Sequence, residues 1–395
     1  MSLEWARATE PDVGVFTQNG VVSEPNFQFP GLTSRLPIHL YLSVYEGYDD
    51  NPLTASSASG SLFTSGSLTL SYGLDNVRTK VSLTASAGAT YYSELSNQPY
   101  DLNDYIRLSI VHNISQRLNV SASINAAYRT APDFSTNAGP ETRQGNFFET
   151  SDSLSLSYHW SPSFSTVSSV DGRRFFYDRS SVGTSEDRWE GTGGEQFQFT
   201  LPHRATALVA EYRYEVIRYD TFPRDSTTHF MLVGVDETLG PKFRLTARGG
   251  ATIRSYESNN VDRTDPHFET SLDYAGAHHS VIAWRTSYGV EEPNSPNVLD
   301  RTTFRTGLDA SYNLLARLRS TAAVYYHRDQ NRGVTLAGLP QPDSSADSVD
   351  ASVGLNYSVN RFLFLGASYS HSEVRSAVTN AYSRNSYSGG FTLIY

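Results

Sequence analysis

Apolar and polar residues alternate along most of this chain. In VRTKVSLTASAGATYY (77–92) the odd positions hold Val77, Thr79, Val81, Leu83, three alanines and Tyr91, and the even ones include Arg78, Lys80, Ser82, Thr84, Ser86 and Thr90. A period of two gives one greasy face and one wet face, which is the pattern of a half-buried strand. An ordinary strand runs about 5–6 residues; this one is far longer. The alternation returns in Leu118–Tyr128, Phe243–Ile253 and Val349–Val359. Taken along the chain it predicts roughly eighteen strands of about 10–16 residues. Parity is weakest over 163–178 and 227–238.

The gaps between these segments also alternate. Short ones fall at GLDN (73–76), NISQ (113–116), SPS (161–163), PHR (202–204), LGPK (239–242), AGAHH (275–279), NLLA (313–316) and SVNR (358–361). Most hold hairpin residues. Longer gaps between them, such as 46–59, 131–146 and 330–346, are rich in Asp, Asn, Pro, Ser and Gly. Short turns on one side and long loops on the other are the pattern of an outer-membrane barrel, with the short turns periplasmic. The predicted fold is therefore all-β: a transmembrane up-and-down antiparallel barrel of about 18 strands, both termini periplasmic. A strand that crosses lipid on one face and water on the other explains the length of 77–92. Aromatic residues gather near the segment ends of the apolar face, among them Tyr72, Tyr91, Tyr128, Trp160, Trp189, Trp284, Tyr312, Tyr357 and Tyr395, as membrane-interface girdles do.

Composition narrows the function. No run of about 18 apolar residues exists, which excludes a transmembrane helix but not a barrel. Cys is absent, so neither disulfides nor thiolate metal sites arise. The basic residues form no block, and no nucleic-acid partner is expected. Adjacent His278 and His279 lack further ligands, and His371 between Ser370 and Ser372 makes no catalytic triad by spacing. No enzyme activity, cofactor or metal is expected. The opening MSLEWARATEPDVG has no apolar signal-peptide stretch, so we read the sequence as a mature form of an outer-membrane protein with an added start.

The net charge is -10, yet 29 of the 31 cations are Arg. Parity turns many of them inward: Arg78, Lys80, Arg107, Arg129, Arg213, Arg244, Arg248, Arg254, Arg285, Arg305, Arg317 and Arg319. Inward acids are fewer: Glu149, Glu211, Glu215, Glu269, Asp273, Asp309 and Asp350. Rings of Arg favour anions in a pore. The bland reading pairs each Arg with an acid on a neighbouring strand. If one cluster binds substrate, Arg244, Arg248 and Arg254 with Arg285 nearby are the expected residues.

The first strand and its exit read LPIHLYLSVYEGYDDNPL (36–53). The early Tyr48, Asp49, Asp50 and Asn51, together with hairpins that repeat a turn-side Arg (Arg117, Arg317, Arg361) and a strand-end Tyr, resemble the β-barrel porins of bacterial exopolysaccharide gene clusters. The resemblance covers most of 36–395 and implies an outer-membrane barrel that exports a secreted polysaccharide with a periplasmic export partner. The sequence departs from the commoner pattern in ending on Tyr395 rather than Phe. Asp49, Asp50 and Asn51 also offer oxygen ligands to a hard cation such as Ca²⁺, or a cation bridge to lipopolysaccharide; the plain alternative is a solvated acidic loop.

Two regions follow: residues 1–35, an extended segment that either enters the lumen or hangs in the periplasm, and a barrel over 36–395. The expected function is export of an acidic exopolysaccharide through a barrel in contact with outer-membrane lipid. The alternatives are an anion-preferring diffusion porin and an adhesive barrel whose loops bind an external partner.

Overall fold

The computed structural model describes residues 38–96, 99–129, 146–178, 186–202, 205–221, 223–257, 261–276, 280–293, 298–333, 335–336, 339–340, 343–376 and 381–395. The segment 1–35 lies outside them. Alternation becomes strand along the whole chain. The first third holds β1 (Ile38–Asp49), β2 (Ser61–Asp75), β3 (Thr79–Tyr92), a short β4 (Tyr100–Leu102), β5 (Asp104–Asn113), β6 (Leu118–Arg129) and β7 (Phe147–Ser161). There follow β8 (Phe164–Tyr177), β9 (Arg188–Thr200), β10 (Thr206–Tyr219), β11 (Ser226–Leu239), β12 (Phe243–Tyr256), β13 (Val261–Ala275) and β14 (Val281–Glu291). The last third holds β15 (Asp300–Leu315), β16 (Leu318–Arg332), the two-residue β17 (Thr335–Leu336) and β18 (Leu339–Pro340), then β19 (Ser344–Ser358), β20 (Leu363–Ser376) and β21 (Tyr382–Ile394).

Without β4, β17 and β18, eighteen long strands pair antiparallel in chain order, and β1 closes on β21. Closure matters because an open edge would leave backbone donors and acceptors unpaired in lipid. The short turns hold by local chemistry. The Asn76 carboxamide oxygen accepts from the backbone N–H of Arg78 (3.0 Å) and Thr79 (2.7 Å). Gly240 sits at φ 68°, a left-handed conformation that costs glycine nothing.

Register fixes the faces. Leu68, Ile106, Ile124, Leu154, Leu308, Val324, Val353 and Leu365 all point outward and are exposed. Such an apolar belt is untenable in water and suits lipid. The buried residues lie on the inward side, so the protein is inside out relative to a soluble fold. They gather toward the long-loop end: Asp49, Phe63, Tyr92, Phe147, Phe175, Arg188, Tyr219, Arg254, Arg301 and Arg384 all stand within a few residues of it.

One boundary differs most from the periodicity, which starts a segment at 266 and runs it to 275. β13 begins at Val261, ahead of the expected 266, and carries Pro266 within it. The ladder between β13 and β14 stops at Phe268 opposite Tyr288. Pro266, which has no N–H to give, therefore stands where β13 has already lost that neighbour. β8 and β11, where parity drifts, are regular strands all the same. The drift arises because their inward faces carry Phe175 and Tyr177, and Phe230 and Leu232, buried near the long-loop end.

Candidate functional site

The bore is lined by one parity of every strand. Lys80, Arg107, Arg129, Arg213, Arg244, Arg248, Arg254, Arg285, Arg305 and Arg319 all lie on that inward parity. Arg78 and Arg317 do not. Arg78 belongs to the turn before Thr79, and Arg317 to the turn before Leu318, where its guanidinium reaches the Val359 carbonyl at 3.4 Å. Both strands begin two residues later than the periodic segments at 77 and 316, so both cations stand at the short-turn rim rather than inside the barrel.

The half of the bore nearest the long loops is a packed polar network. Arg305 meets Glu291 in a forked pair, Nε to Oε1 at 2.9 Å and Nη2 to Oε2 at 2.6 Å. Arg301 bridges Asp329 (3.2 Å), Glu291 (3.3 Å) and the Glu292 carbonyl (2.7 Å). Arg263 pairs with Asp300, which also accepts from Tyr256 at 2.8 Å. Guanidinium groups stack on inward rings: Arg188 lies 4.4 Å from the centre of Phe175 and Arg224 4.6 Å from that of Tyr219. Buried charges of this kind persist only when paired on several sides.

Three long loops join the network. Arg224, between β10 and β11, donates to the Val298 carbonyl between β14 and β15 at 2.8 Å, and to Glu186 between β8 and β9 at 3.2 Å. Strands lie about 4.8 Å apart, so the first contact joins loops whose strand pairs are separated by roughly 20 Å of wall. The described ends of the loop after β14, Glu292 and Val298, are therefore both drawn inward at the mouth. Its first residue, Glu292, is the hub: it accepts from Tyr219 and from Arg254. Burial works against its charge, but Arg254, Arg224 and Arg188 outweigh it and hold the Glu292 carboxyl below the usual carboxylate range.

Toward the short turns the balance changes. Lys80 pairs with Asp75 at 3.0 Å at the rim, and Arg285 lies between Asp309 (3.3 Å) and Asp273 (3.8 Å). Arg213 is held by Glu211 and Glu269, both at 2.8 Å, and Arg248 by Asp236 at 2.9 Å. At the long-loop end, by contrast, Arg129 approaches Glu149 at 4.0 Å. Arg107, Arg244 and Arg319 make no ion pair with any described residue. Arg244 and Arg319 are each the second residue of their strand at the short-turn end, and Arg107 is about halfway up β5. Of the expected cluster, Arg254 and Arg248 are thus structural, and Arg244 presents a free charge to the bore.

The Tyr48–Asn51 motif closes the barrel. Asp49 accepts from Arg384 at 2.5 and 2.8 Å. Asp50 accepts from the Asn385 backbone at 2.6 Å and its carboxamide at 2.7 Å. Asn51 binds the Ser383 carbonyl at 3.0 Å and caps its own loop at Ala55. The carboxylates that would serve a hard cation or a solvated loop are spent on β21, and Tyr48 faces outward. Sequence reasoning missed Arg188, Arg224, Arg301 and Arg384, Glu292 and the inward aromatics. Arg301 and Arg384 open the periodic segments 301–313 and 384–395 and Arg188 stands one residue before 189–201, so parity could have found them; Arg224 and Glu292 lie in loops with no period.

A family model described as "Putative beta-barrel porin 2" matches residues 41–393. No curated protein matches the chain. Among solved structures, the outer membrane protein OpdK from Pseudomonas aeruginosa is similar at 10% identity and TM-score 0.47, covering 91% of this chain and 99% of that one. OccAB3 from Acinetobacter baumannii gives 10% identity and TM-score 0.46 over 91% and 99%. The siderophore receptor PirA from Pseudomonas aeruginosa gives 9% and 0.45 over 91% and 80%.

Proposed function

The chain belongs to the β-barrel porin family whose model covers residues 41–393, and from that premise we propose an outer-membrane channel that exports an acidic exopolysaccharide. The observation that carries this reading is the division of the bore's cations. Among the described residues, Arg244 and Arg319 are free at the short-turn end and Arg107 about midway, while most guanidiniums of the outer half, Arg173 excepted, are tied up in ion pairs. A polyanion arriving from the periplasm meets uncommitted charge first, and charged rings set which ions a pore admits. Guanidinium suits the carboxylate or sulfate of an acidic sugar through paired hydrogen bonds. The chain's residues do no chemistry in this reading; they attract, orient and pass the polymer.

A second reading is an anion-preferring diffusion porin, favoured by the loop after β14, whose described ends are drawn inward at the mouth as a constriction. Planar-bilayer recordings separate the two. Export predicts that acidic oligosaccharides block the current from the short-turn side, with block strengthening as the chain lengthens. A porin predicts permeation of small anions and no dependence on oligosaccharide length. Current indifferent to both would overturn the channel reading itself.

A further inference from the structure

Outside the bore, Glu46, Asp152 and Glu237 stand on the outward parity without a partner among the described residues, and of the three Glu46 alone lines a described cavity. Glu46 lies on the outward parity of β1, three residues below its long-loop end. Among the described residues it makes no hydrogen bond or ion pair. An ionisable side chain on a membrane-facing surface is costly and commonly functional.

Glu46 stands in a groove. Its register neighbours are small, Gly389 on β21 and Thr64 on β2, with Tyr91 on β3 beyond Thr64. In the next row toward the loops stand Tyr387 and Tyr48. Together they line a cavity of about 660 Å³ that opens on the outer surface of the barrel. A methyl group added at Gly389 would meet only the Gly366 carbonyl, 3.8 Å away, so the floor of the groove is open space.

The walls are held in place before any ligand arrives. Tyr48 packs so closely on Gly60 that a Cβ there would lie 2.1 Å from its hydroxyl. Tyr91 lies against Tyr100 with ring centres 5.1 Å apart, and Tyr387 against Tyr369 at 4.9 Å. Preorganised rings lose little freedom on binding. Three tyrosines around a carboxylate form an aromatic cage for a cation.

We propose that this groove binds the ammonium-bearing head group of a lipid, with Glu46 countering the charge and Tyr48, Tyr91 and Tyr387 enclosing it. The groove opens on the outward, lipid-facing side of the wall, so the ligand is lipid-borne rather than a free amine. An anionic head group is disfavoured by Glu46 itself.

The test is native mass spectrometry of the purified full chain, equilibrated with equal phosphatidylethanolamine and phosphatidylglycerol. The wild type should retain phosphatidylethanolamine about tenfold more than phosphatidylglycerol, as one charge-assisted contact allows. Glu46→Gln should abolish the preference. Gly389→Leu, which fills the floor without touching the carboxylate, should lower retention of the lipid itself. Each variant is compared only after its heat-dependent electrophoretic shift shows a folded barrel. Equal retention of both lipids by the wild type, or a preference surviving in Glu46→Gln, overturns the proposal. Millimolar ethanolamine that displaces the lipid completely would assign the groove to free amines and overturn the lipid assignment.

Discussion

Tyr219, at the outer end of β10, donates its phenolic hydrogen to Glu292, which follows β14 four strands further round the wall. The contact draws the loop after β14 inward at its described start, Glu292. Arg254 on β12 and Arg224 in the loop before β11 secure it, Arg254 through Glu292 and Arg224 through the Val298 carbonyl. Backbone ladders hold the barrel, and side chains hold the latch, so the latch can be broken without unfolding the wall.

Glu292→Gln is the direct way to break it. The variant keeps the shape of the side chain and removes the charge that Arg254 and Arg188 face. Removing one member of a buried pair leaves the other charge uncompensated, at a local cost of about 3–5 kcal/mol. The loop should leave the mouth, and single-channel conductance should rise. Equal conductance in variant and wild type would mean that the latch does not limit the pore.

Acid should do the same to the wild type. The Glu292 carboxyl is held below its ordinary value, so its contribution is complete above the unfolded carboxylate pKa of about 4.3 and is lost as pH falls through the lower folded value. Conductance should therefore be flat from pH 7 to about 5 and rise only below about 4. Opening near pH 6 would point to a different group and count against Glu292 as the hub.

The seam between first and last strands gives a stability prediction. Asp49 and Arg384 are both almost wholly buried and bonded to each other. Arg384→Met should strand the Asp49 carboxylate and cost about 3 kcal/mol or more. The temperature at which the folded band converts to the unfolded one in electrophoresis should drop. Adding Asp49→Asn should recover part of the loss, since the pair acts as a unit. An unchanged conversion temperature in Arg384→Met would show that the ladder alone closes the barrel.

Much of this architecture is legible in the sequence, because a strand's period of two comes from the backbone and not from context. Positions such as Arg107, Arg244 and Ser82 could be placed inward without coordinates. What stays hidden is set by closure. Asp49 and Asn51 form a readable motif, but Arg384 and Ser383 lie more than 330 residues away and meet them only when β21 reaches β1. Parity also treats an inward residue as wet, whereas Phe230, Leu232 and Phe175 are inward and buried because the outer half of the bore is packed. For the same reason Arg244 and Arg254 look alike in sequence, and only packing makes one a free charge and the other a strut.

That difference yields a test within one strand. Arg244 and Arg248 are two steps apart on the inward parity of β12, toward the short-turn end. Arg248 is fixed to Asp236 at 2.9 Å and approaches Glu211 at 3.7 Å, while Arg244 is exposed and makes no ion pair with a described residue. A charge already neutralised by neighbours adds little field to the bore; an unpaired one adds nearly all of its own, subject to salt screening over about 10 Å at 0.1 M. Arg244→Gln should therefore lower the anion preference read from the reversal potential, more at low salt than at high. Arg248→Gln releases the acids beside it and removes the cation, so it should also shift selectivity toward cations, but with a loss of thermal stability that Arg244→Gln does not share. If Arg244→Gln leaves the reversal potential untouched at low salt, the free cations of the lower bore do not select ions, and the case for a polyanionic cargo falls with them.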